Sequence, residues 1–472
     1  MALELEDIEE QSIQEKFEQV IATEDKLAIR EFLDDQNIAD VADLLSDYPD
    51  YEAQIIANLS IHRAASTFKI LDFPTQKRIV SELPSFKTAE LLNELQADDR
   101  TDFLEDLPKE VLRDLIKLLD PEERLVTLSL LGYPEGSVGR LMLPDYVYVY
   151  EHNTVEEVFQ IIRKYAKNTE TIDVIYVINE KGQLIDDLRI KEFILAAPDR
   201  QVRELMDERV ISLNVKDDQE YANQVFKMNN RTALPVVDDN NVLLGIVTID
   251  DILWVAQEEF SEDMQKMGGT EALNEPYLEI SFFKLIQKRA GWLIVLFLSE
   301  LFTATAMAYF NDEISKATVL AIFIPLIMSS GGNSGSQAST LVIQAMAVGD
   351  VDHLTDWWRV MRREIFSGLT LGSILGAIGF VRIIAWHFLM QHGVIQNLYG
   401  EHWMLIACTI GVSLIGVVLW GTLAGSMLPI ALKRMGADPA VSSAPFVATL
   451  VDVTGIVIYF SVAYLFLQNV LL

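Results

Sequence analysis

The sequence predicts a multidomain membrane protein: an all-α N-domain of short helices wound into a superhelix, a tandem α/β pair, a connecting helix, and a transmembrane domain of five α-helices. Three observations predict it. Charge is segregated, with 60 of the 70 acidic residues and 27 of the 37 Lys and Arg inside residues 1–280, so this half carries the whole net charge of −33. Two internal repeats occupy the same half, at spacings of 12 and 59 residues. Beyond it lie five apolar segments, near 290–310, 317–348, 365–391, 402–431 and 441–472. Each is long enough to cross, as a helix, an apolar core about 30 Å thick.

The shorter repeat lies within residues 1–137. Leu59, Leu71, Leu83, Leu95, Leu107, Leu119 and Leu131 recur every 12 residues, usually with Pro or Asp close behind, as in Glu82-Leu83-Pro84 and Asp106-Leu107-Pro108. That period is shorter than the common helical repeats. It predicts short helices, each ended by a Pro or Asp turn, stacked from about residue 20 to 135; the other reading is a chance run of leucines in an irregular bundle. A domain this acidic repels itself unless cations screen or bind it, which argues against nucleic acid as a partner and for divalent metal. With one cysteine, Cys408, and six histidines, the available ligands are oxygens, which suit Mg, Ca or Mn rather than Zn or Cu. The start, Met1-Ala-Leu-Glu-Leu-Glu-Asp7, has no basic, apolar leader, so the first 280 residues are expected in the cytoplasm.

The longer repeat spans 138–262. Residues 175–194 lie over 234–253 without gaps at a shift of 59, each copy reading strand, polar turn, strand, helix start. Upstream, Leu141-Met142 before Tyr146-Val-Tyr-Val matches Leu205-Met206 before Val210-Ile-Ser-Leu. These segments, above all Leu244-Gly-Ile-Val-Thr-Ile-Asp-Asp251, resemble a tandem of CBS (cystathionine-β-synthase) domains, at 138–200 and 201–262. The resemblance implies a disk that binds adenine nucleotide or metal and regulates an attached domain. In the first copy Asp186-Asp187 replaces the Gly-Ile pair, which weakens the nucleotide expectation there.

With the acidic half inside, the inner loops of the 289–472 region hold Lys284, Lys288, Arg289, Arg359, Arg362, Arg363, Lys433 and Arg434, and the outer loops hold only Lys316. Arg382 falls near the outer end of the third segment and is expected to reach the interface. The last segment carries Asp452. A helix begun near Pro439 puts that carboxylate about 20 Å along, near the bilayer centre, where it needs a partner, a cation or water. In the second segment, Pro325 is expected to remove a helix hydrogen bond. The run Gly331-Gly-Asn-Ser-Gly-Ser-Gln337 then either lets backbone face a narrow wet path or packs helices closely.

Two long stretches, Phe323 to Thr340 and Gly436 to Phe460, together with the order of the domains, resemble the MgtE-type magnesium channel/transporter family over nearly the whole chain. That resemblance implies a homodimer in the inner or plasma membrane, N-terminus cytoplasmic and C-terminus outside, with residues 263–288 as the connecting helix. It implies passive Mg²⁺ uptake through a pore between second and fifth helices of two subunits, the ion held by Asp452 with Asp438 near the cytoplasmic mouth. Asp438 before Pro439 also suits a helix cap. The family further implies closure by cytosolic Mg²⁺ through Asp98, Asp102, Asp218, Glu220, Asp251, Glu259, Glu262 and Asp263. Ser66, Asn230 and Trp254 stand where carboxylates are expected, and Ala444 replaces an Asn.

Other classes fit less well. A primary pump would need GxxxxGK[ST] or Asp-Lys-Thr-Gly, and neither is present; no nucleophile and base pair suggests an enzyme. A receptor that transports nothing would leave Asp452 unexplained, whereas a CBS-regulated transporter of Co²⁺ or Mn²⁺ would account for both halves.

Overall fold

Short helices joined by turns of two to four residues build the N-domain of this computed structural model, which describes residues 13–23, 25–166, 169–273, 275–351, 356–392, 399–468 and 470–471. They are α1 (Lys26–Asp35), α2 (Ile38–Asp47), α3 (Glu52–Asn58), α4 (Ile61–Phe68), α5 (Phe73–Glu82), α6 (Ser85–Glu94), α7 (Ala97–Glu105), α8 (Lys109–Ile116) and α9 (Pro121–Leu130). The 12-residue leucines explain the geometry. Leu59, Leu83 and Leu95 stand just past a helix end in extended conformation, their N–H groups closing the last turn onto Ile55, Ile79 and Leu91. Their side chains are buried in the core, so each turn is pinned from within. Helices pack onto the next but one, α1 on α3, α2 on α4, α3 on α5, α4 on α6 and α7 on α9, which winds the superhelix. Fully buried Arg100 ties its last turns together by donating to Leu92 O, Leu95 O, Thr127 and Glu123.

From the second strand of each copy onward the 59-residue repeat is reproduced to the residue, while the strand and helix ahead of it are offset by 65 and 64 residues. In the first copy β1 (Tyr148–Tyr150), α10 (Val155–Tyr165), β2 (Val174–Ile178), β3 (Leu184–Arg189) and α11 (Ile190–Leu195) follow one another; in the second, β4 (Leu213–Asn214), α12 (Gln219–Asn229), β5 (Ala233–Val237), β6 (Leu243–Thr248) and α13 (Ile249–Met267). Each copy forms a three-stranded sheet, its outer pair parallel and its hairpin antiparallel. Leu143 and Ile246 exchange backbone hydrogen bonds of 2.7 and 2.8 Å across the copies. Gly245 makes that approach possible, because a Cβ there would stand 2.6 Å from Leu143 O. The equivalent Asp186 is fully buried instead, and its carboxylate accepts from the N–H groups of Asp187, Asp207 and Glu208. Asp187 pairs with Arg231 at 2.7 Å, so the pair that departs from the repeat is structural.

The chain divides into two compact units, Met1–Glu258 and Glu259–Leu472. The second holds α14 (Phe282–Tyr309), α15 (Ile324–Ala347), α16 (Trp357–Gln391), α17 (Trp403–Arg434) and α18 (Ala444–Leu467), all long and apolar enough to span a bilayer. Residues 263–288, expected as one connecting helix, are helical only at their ends: α13 runs on to Met267, and α14 begins at Phe282. Gly269, at φ +77°, turns the chain away from α13, and Pro276 lies in the stretch between.

Two further expectations are corrected and one open alternative is decided. Pro325 lies in the first turn of α15, where an N–H has no helical partner, so it starts the helix and removes no bond. The Gly331–Gln337 run is regular helix, and both Gly331 and Gly335 are buried against α17 and α18. Close packing, not a backbone-lined path, accounts for these glycines. The last helix starts at Ala444, behind the cap Ser443, because Pro439–Val441 forms a separate 3₁₀ turn. Asp452 therefore sits about 12 Å along α18, not 20 Å. Arg382 is held at its own level, its guanidinium over Phe323 and Trp386 and donating to Tyr399 at 3.4 Å.

A Cβ on Gly421 would run into the carbonyl of Gly331. Gly421→Val is therefore expected to cost about 1–3 kcal/mol through overpacking and to lower the Tm of the solubilised protein. Gly411→Ala, where the nearest atom is 3.5 Å away, is the control that leaves Tm unchanged.

Candidate functional site

Three places gather the expected site residues. The first lies in the membrane unit. Antiparallel α15 and α18 are in register through Gly332 against Ala448 and Met328 against Gly455. The half-exposed Asp452 therefore lies level with the turn of α15 that carries Ser329 and Asn333. Ser329, Asn333 and Gln337 recur every four residues and are all exposed, so they form one polar stripe beside the carboxylate. Among the described residues, no side chain donates a hydrogen bond to Asp452. Glu300 of α14 is at the same depth, because Trp292 donates to Ser443 at 3.0 Å and Phe310 stacks on Phe460 at 4.8 Å, which sets the two helices parallel.

The second place is the entry to α18. Asp438 caps the 3₁₀ turn through Ala440 N at 2.8 Å, and its other oxygen pairs with Lys266 Nζ at 2.7 Å. Lys266 also pairs with Glu262, one turn back on α13. Two expected Mg²⁺ ligands, Glu262 and Asp438, thus meet around an ammonium. Partial burial disfavours that charge, but the hydrogen bonds to Asp438 and Glu262 outweigh it and hold the lysine's pKa above its ordinary value. Gly269 packs on Trp292 and Pro445, and Glu271 N donates to Lys288 O, so the segment after α13 is fastened to the start of α14 and α18.

The third place is in the first unit, where α7 meets the tandem pair. Asp98 is in the first turn of α7 and Asp251 in the first turn of α13, where exposed N–H groups favour negative charge. Arg100 fixes α7 from behind, and the Thr248 hydroxyl donates to Asp251 at 2.6 Å. Oxygens of Asp98, Asp251 and Glu170 lie within 4.8 Å of one another. Burial pushes all three carboxyls up. Asp98 is driven well above the usual range, helped by Asp251 and Asp99. Burial takes Asp251 to about 6, Asp250 and Asp99 adding to the rise against Thr248 and Lys69. Glu170 is taken to about 7, by burial and then by Asp250, Asp251 and Asp99 against the pull of Lys69.

The remaining expected ligands are dispersed. Asp102 is exposed on α7, Asp218 caps α12 through Glu220 N at 2.8 Å, and Glu220 is exposed beside it. Glu259 and Asp263 are half-exposed on α13. Of the three positions lacking a carboxylate, Ser66 donates to His62 O, Asn230 ends α12 in left-handed conformation at φ 49°, and Trp254 is exposed. Glu170 and Lys266 were missed by the sequence reading. Neither carried a sequence signal: Glu170 lies ahead of the gapless overlay of 175–194 on 234–253, and Lys266 lies beyond both repeats. Between the copies lies a cavity of about 730 Å³, lined by Asp173, Arg189, Lys191, Lys227, Asn230 and Arg231 among others.

A domain model described as "Divalent cation transporter" matches residues 324–462, one described as "MgtE intracellular N domain" matches 36–136, and the CBS domain matches 138–198 and 202–258. The "Magnesium transporter MgtE" of Thermus thermophilus is 38% identical over 79% of this chain and 80% of its own. The protein of the same name from Bacillus subtilis is 28% identical over 93% and 94%. Among solved structures, the cytosolic domain of the Mg²⁺ channel MgtE in complex with ATP is 35% identical, with a TM-score of 0.49, over 51% of this chain and 98% of that one.

Because these carboxyl pKa values are raised, the folded first unit favours their protonated forms. The stability this brings is fully present below about pH 4 and is lost as pH rises through about 6 to 7. In metal-free buffer, protease should therefore cut between α7 and the tandem pair faster at about pH 8 than at about pH 5. Millimolar Mg²⁺ should restore protection at the higher pH, and NaCl of equal ionic strength should not. For the second place, Lys266→Met should expose residues 268–281 to protease several-fold faster, with α13 and α18 left folded by circular dichroism.

Proposed function

This chain belongs to the MgtE family of magnesium transporters, and from that premise we propose that it conducts Mg²⁺ passively across a membrane and closes when cytosolic Mg²⁺ is high. The observation that carries the proposal is Asp452. Its carboxylate stands half-exposed inside an apolar span, beside the Ser329, Asn333 and Gln337 stripe, and no described residue neutralises it. A carboxylate at that depth costs at least about 2.5 kcal/mol on insertion scales, so it must face water, a cation or another chain. A second copy related by a two-fold axis covers this face and brings two such carboxylates to one pore. Mg²⁺ dehydrates reluctantly and keeps several waters, so two carboxylates with hydroxyl and amide walls hold it without a tight cage. No step of this transport makes or breaks a covalent bond, in keeping with a transporter rather than an enzyme.

Closure rests on the carboxylates of the first unit and of α13. Crowded acids repel one another, and a cation that binds only the compact arrangement favours it by mass action. Asp98 and Asp251 are the central pair, with Asp102, Asp218, Glu220, Glu259, Glu262 and Asp263 supplying further negative charge. Asp438, held by Lys266, links the segment after α13 to the helix that carries Asp452. Lys and Arg cluster at one end of the spans, which supports a cytoplasmic N-terminus and an external C-terminus. The domains are then 1–137, 138–200, 201–262, the connecting segment 263–288 and the membrane domain 289–472. The cavity between the copies, with Arg189, Lys191, Lys227 and Arg231 in its wall, is of a size and charge to take an adenine nucleotide.

Flux into proteoliposomes tests the proposal. Mg²⁺ should enter down its gradient, and Asp452→Asn, which keeps size but lacks charge, should lower flux at least tenfold while remaining inserted and dimeric. Undiminished Mg²⁺ flux through Asp452→Asn would remove Asp452 from the pathway. Flux of Co²⁺ or Mn²⁺ without Mg²⁺ would turn the proposal into a CBS-regulated transporter of another divalent ion.

A further inference from the structure

We propose that Glu170, from the segment between α10 and β2 of the first CBS copy, is a third ligand of a divalent cation held with Asp98 and Asp251, and that Lys69 is a tethered ammonium which the ion displaces. The proposal rests on reading this interface as a regulatory Mg²⁺ site and adds to it a ligand, a competitor and a third structural part.

Geometry carries it. The three carboxylate oxygens lie within 4.8 Å of one another. Opposite ligands of an octahedral Mg²⁺ stand about 4.2 Å apart and adjacent ones about 3 Å, so side-chain rotations of at most about 2 Å bring three oxygens into one shell, with water completing it. Asp98 supplies the independent sign of a ligand. It is 93% buried, at 7% exposure, and its Oδ1 meets no hydrogen-bond donor among the described residues. A buried carboxylate oxygen without a donor is costly, and a bound cation removes that cost.

Charge makes the same point. Asp98 and Asp99 from α7, Asp250 and Asp251 from α13, and Glu170 converge, and the cation set against them in the described structure is Lys69. Its Nζ is 3.6 Å from Asp99 and 3.9 Å from Glu170, at the end of α4. One ammonium against five carboxyl groups leaves the cluster under-neutralised as they ionise. A divalent ion between Asp98, Glu170 and Asp251 requires Glu170 to give up its long contact with Lys69, which retains Asp99. The exchange is short-range, since one side chain turns between two partners already beside it. Glu170 brings in the first CBS copy, so the ion joins the N-domain to both copies, where Asp98 and Asp251 alone would join it to one.

Full-length dimer in nanodiscs tests the proposal, with the Mg²⁺ midpoint of protease protection and Mn²⁺ binding read by electron paramagnetic resonance. Asp98→Asn with Asp251→Asn defines the signal belonging to this site. Glu170→Gln should move both midpoints at least tenfold upward, Glu170→Asp should recover part of the shift, and Lys69→Gln should move them several-fold downward because a competitor is gone. Midpoints that shift in the same direction in Glu170→Gln and Lys69→Gln would reduce the two to a structural ion pair and overturn the proposal. So would an unchanged midpoint in Glu170→Gln when the double Asn variant does shift, and the regulatory reading would then stand without Glu170. A double Asn variant that still protects and still closes with Mg²⁺ would remove the site itself, and the proposal with it.

Discussion

Backbone contact between α15, α17 and α18 is the constraint on which the membrane unit depends. In lipid no hydrophobic force draws helices together, so they associate through van der Waals contact, and glycine permits the closest approach. Gly331 and Gly335 of α15 lie against Gly421 and Gly425 of α17, while Gly331 and Gly335 also receive Val451 and Val447 of α18. The hydroxyls between them are satisfied internally: Ser334 meets Thr422 at 2.9 Å, and Ser336 and Ser339 donate to the carbonyls of Ala444 and Ser442. These contacts fix register as well as distance. Asp452 is on the exposed side of α18 because Val447 and Val451 are committed to the buried side.

The acidic N-terminal half obeys the opposite logic. Its helices are held by buried leucines at their ends, which is inexpensive, and its cost is electrostatic. Residues 1–280 have a large excess of acid, and α7 and α13 bring the first-turn acids of two helices to one place. Helix N-termini soften that repulsion by only about 0.3–1 kcal/mol each, so the arrangement stays sensitive to cations. A contact stabilised by ions rather than by apolar area can open and close within the small free energies that regulation uses. Lys69 and Lys266 play parallel parts, each an ammonium seated among carboxylates that a divalent ion would otherwise find unoccupied.

Sequence alone determined the order of parts, the short-helix superhelix, the strands of the tandem pair and the five spans, because these follow from local signals. Period 12, shift 59 and long apolar runs each report one element at a time. It also picked out Asp452, since a carboxylate in an apolar run is anomalous without any knowledge of neighbours. It failed where neighbours decide. Pro325 could be a break or a start, and it stands in the first turn of α15, just past the turn at Ile322 and Phe323. The glycine run could face water or another helix, and Gly421 and Gly425, some ninety residues away, made it a packing face. Acidic residues in a chain with 70 of them are individually uninformative, so Asp102, Asp218 and Glu259 looked no different from Asp98 and Asp251. Only the tertiary structure separated them, by burying Asp98 and bringing Glu170 and Lys69 to it from two other parts of the chain. Coulomb energy and desolvation depend on distances and burial that arise between elements, whereas periodicity is a property of each element by itself.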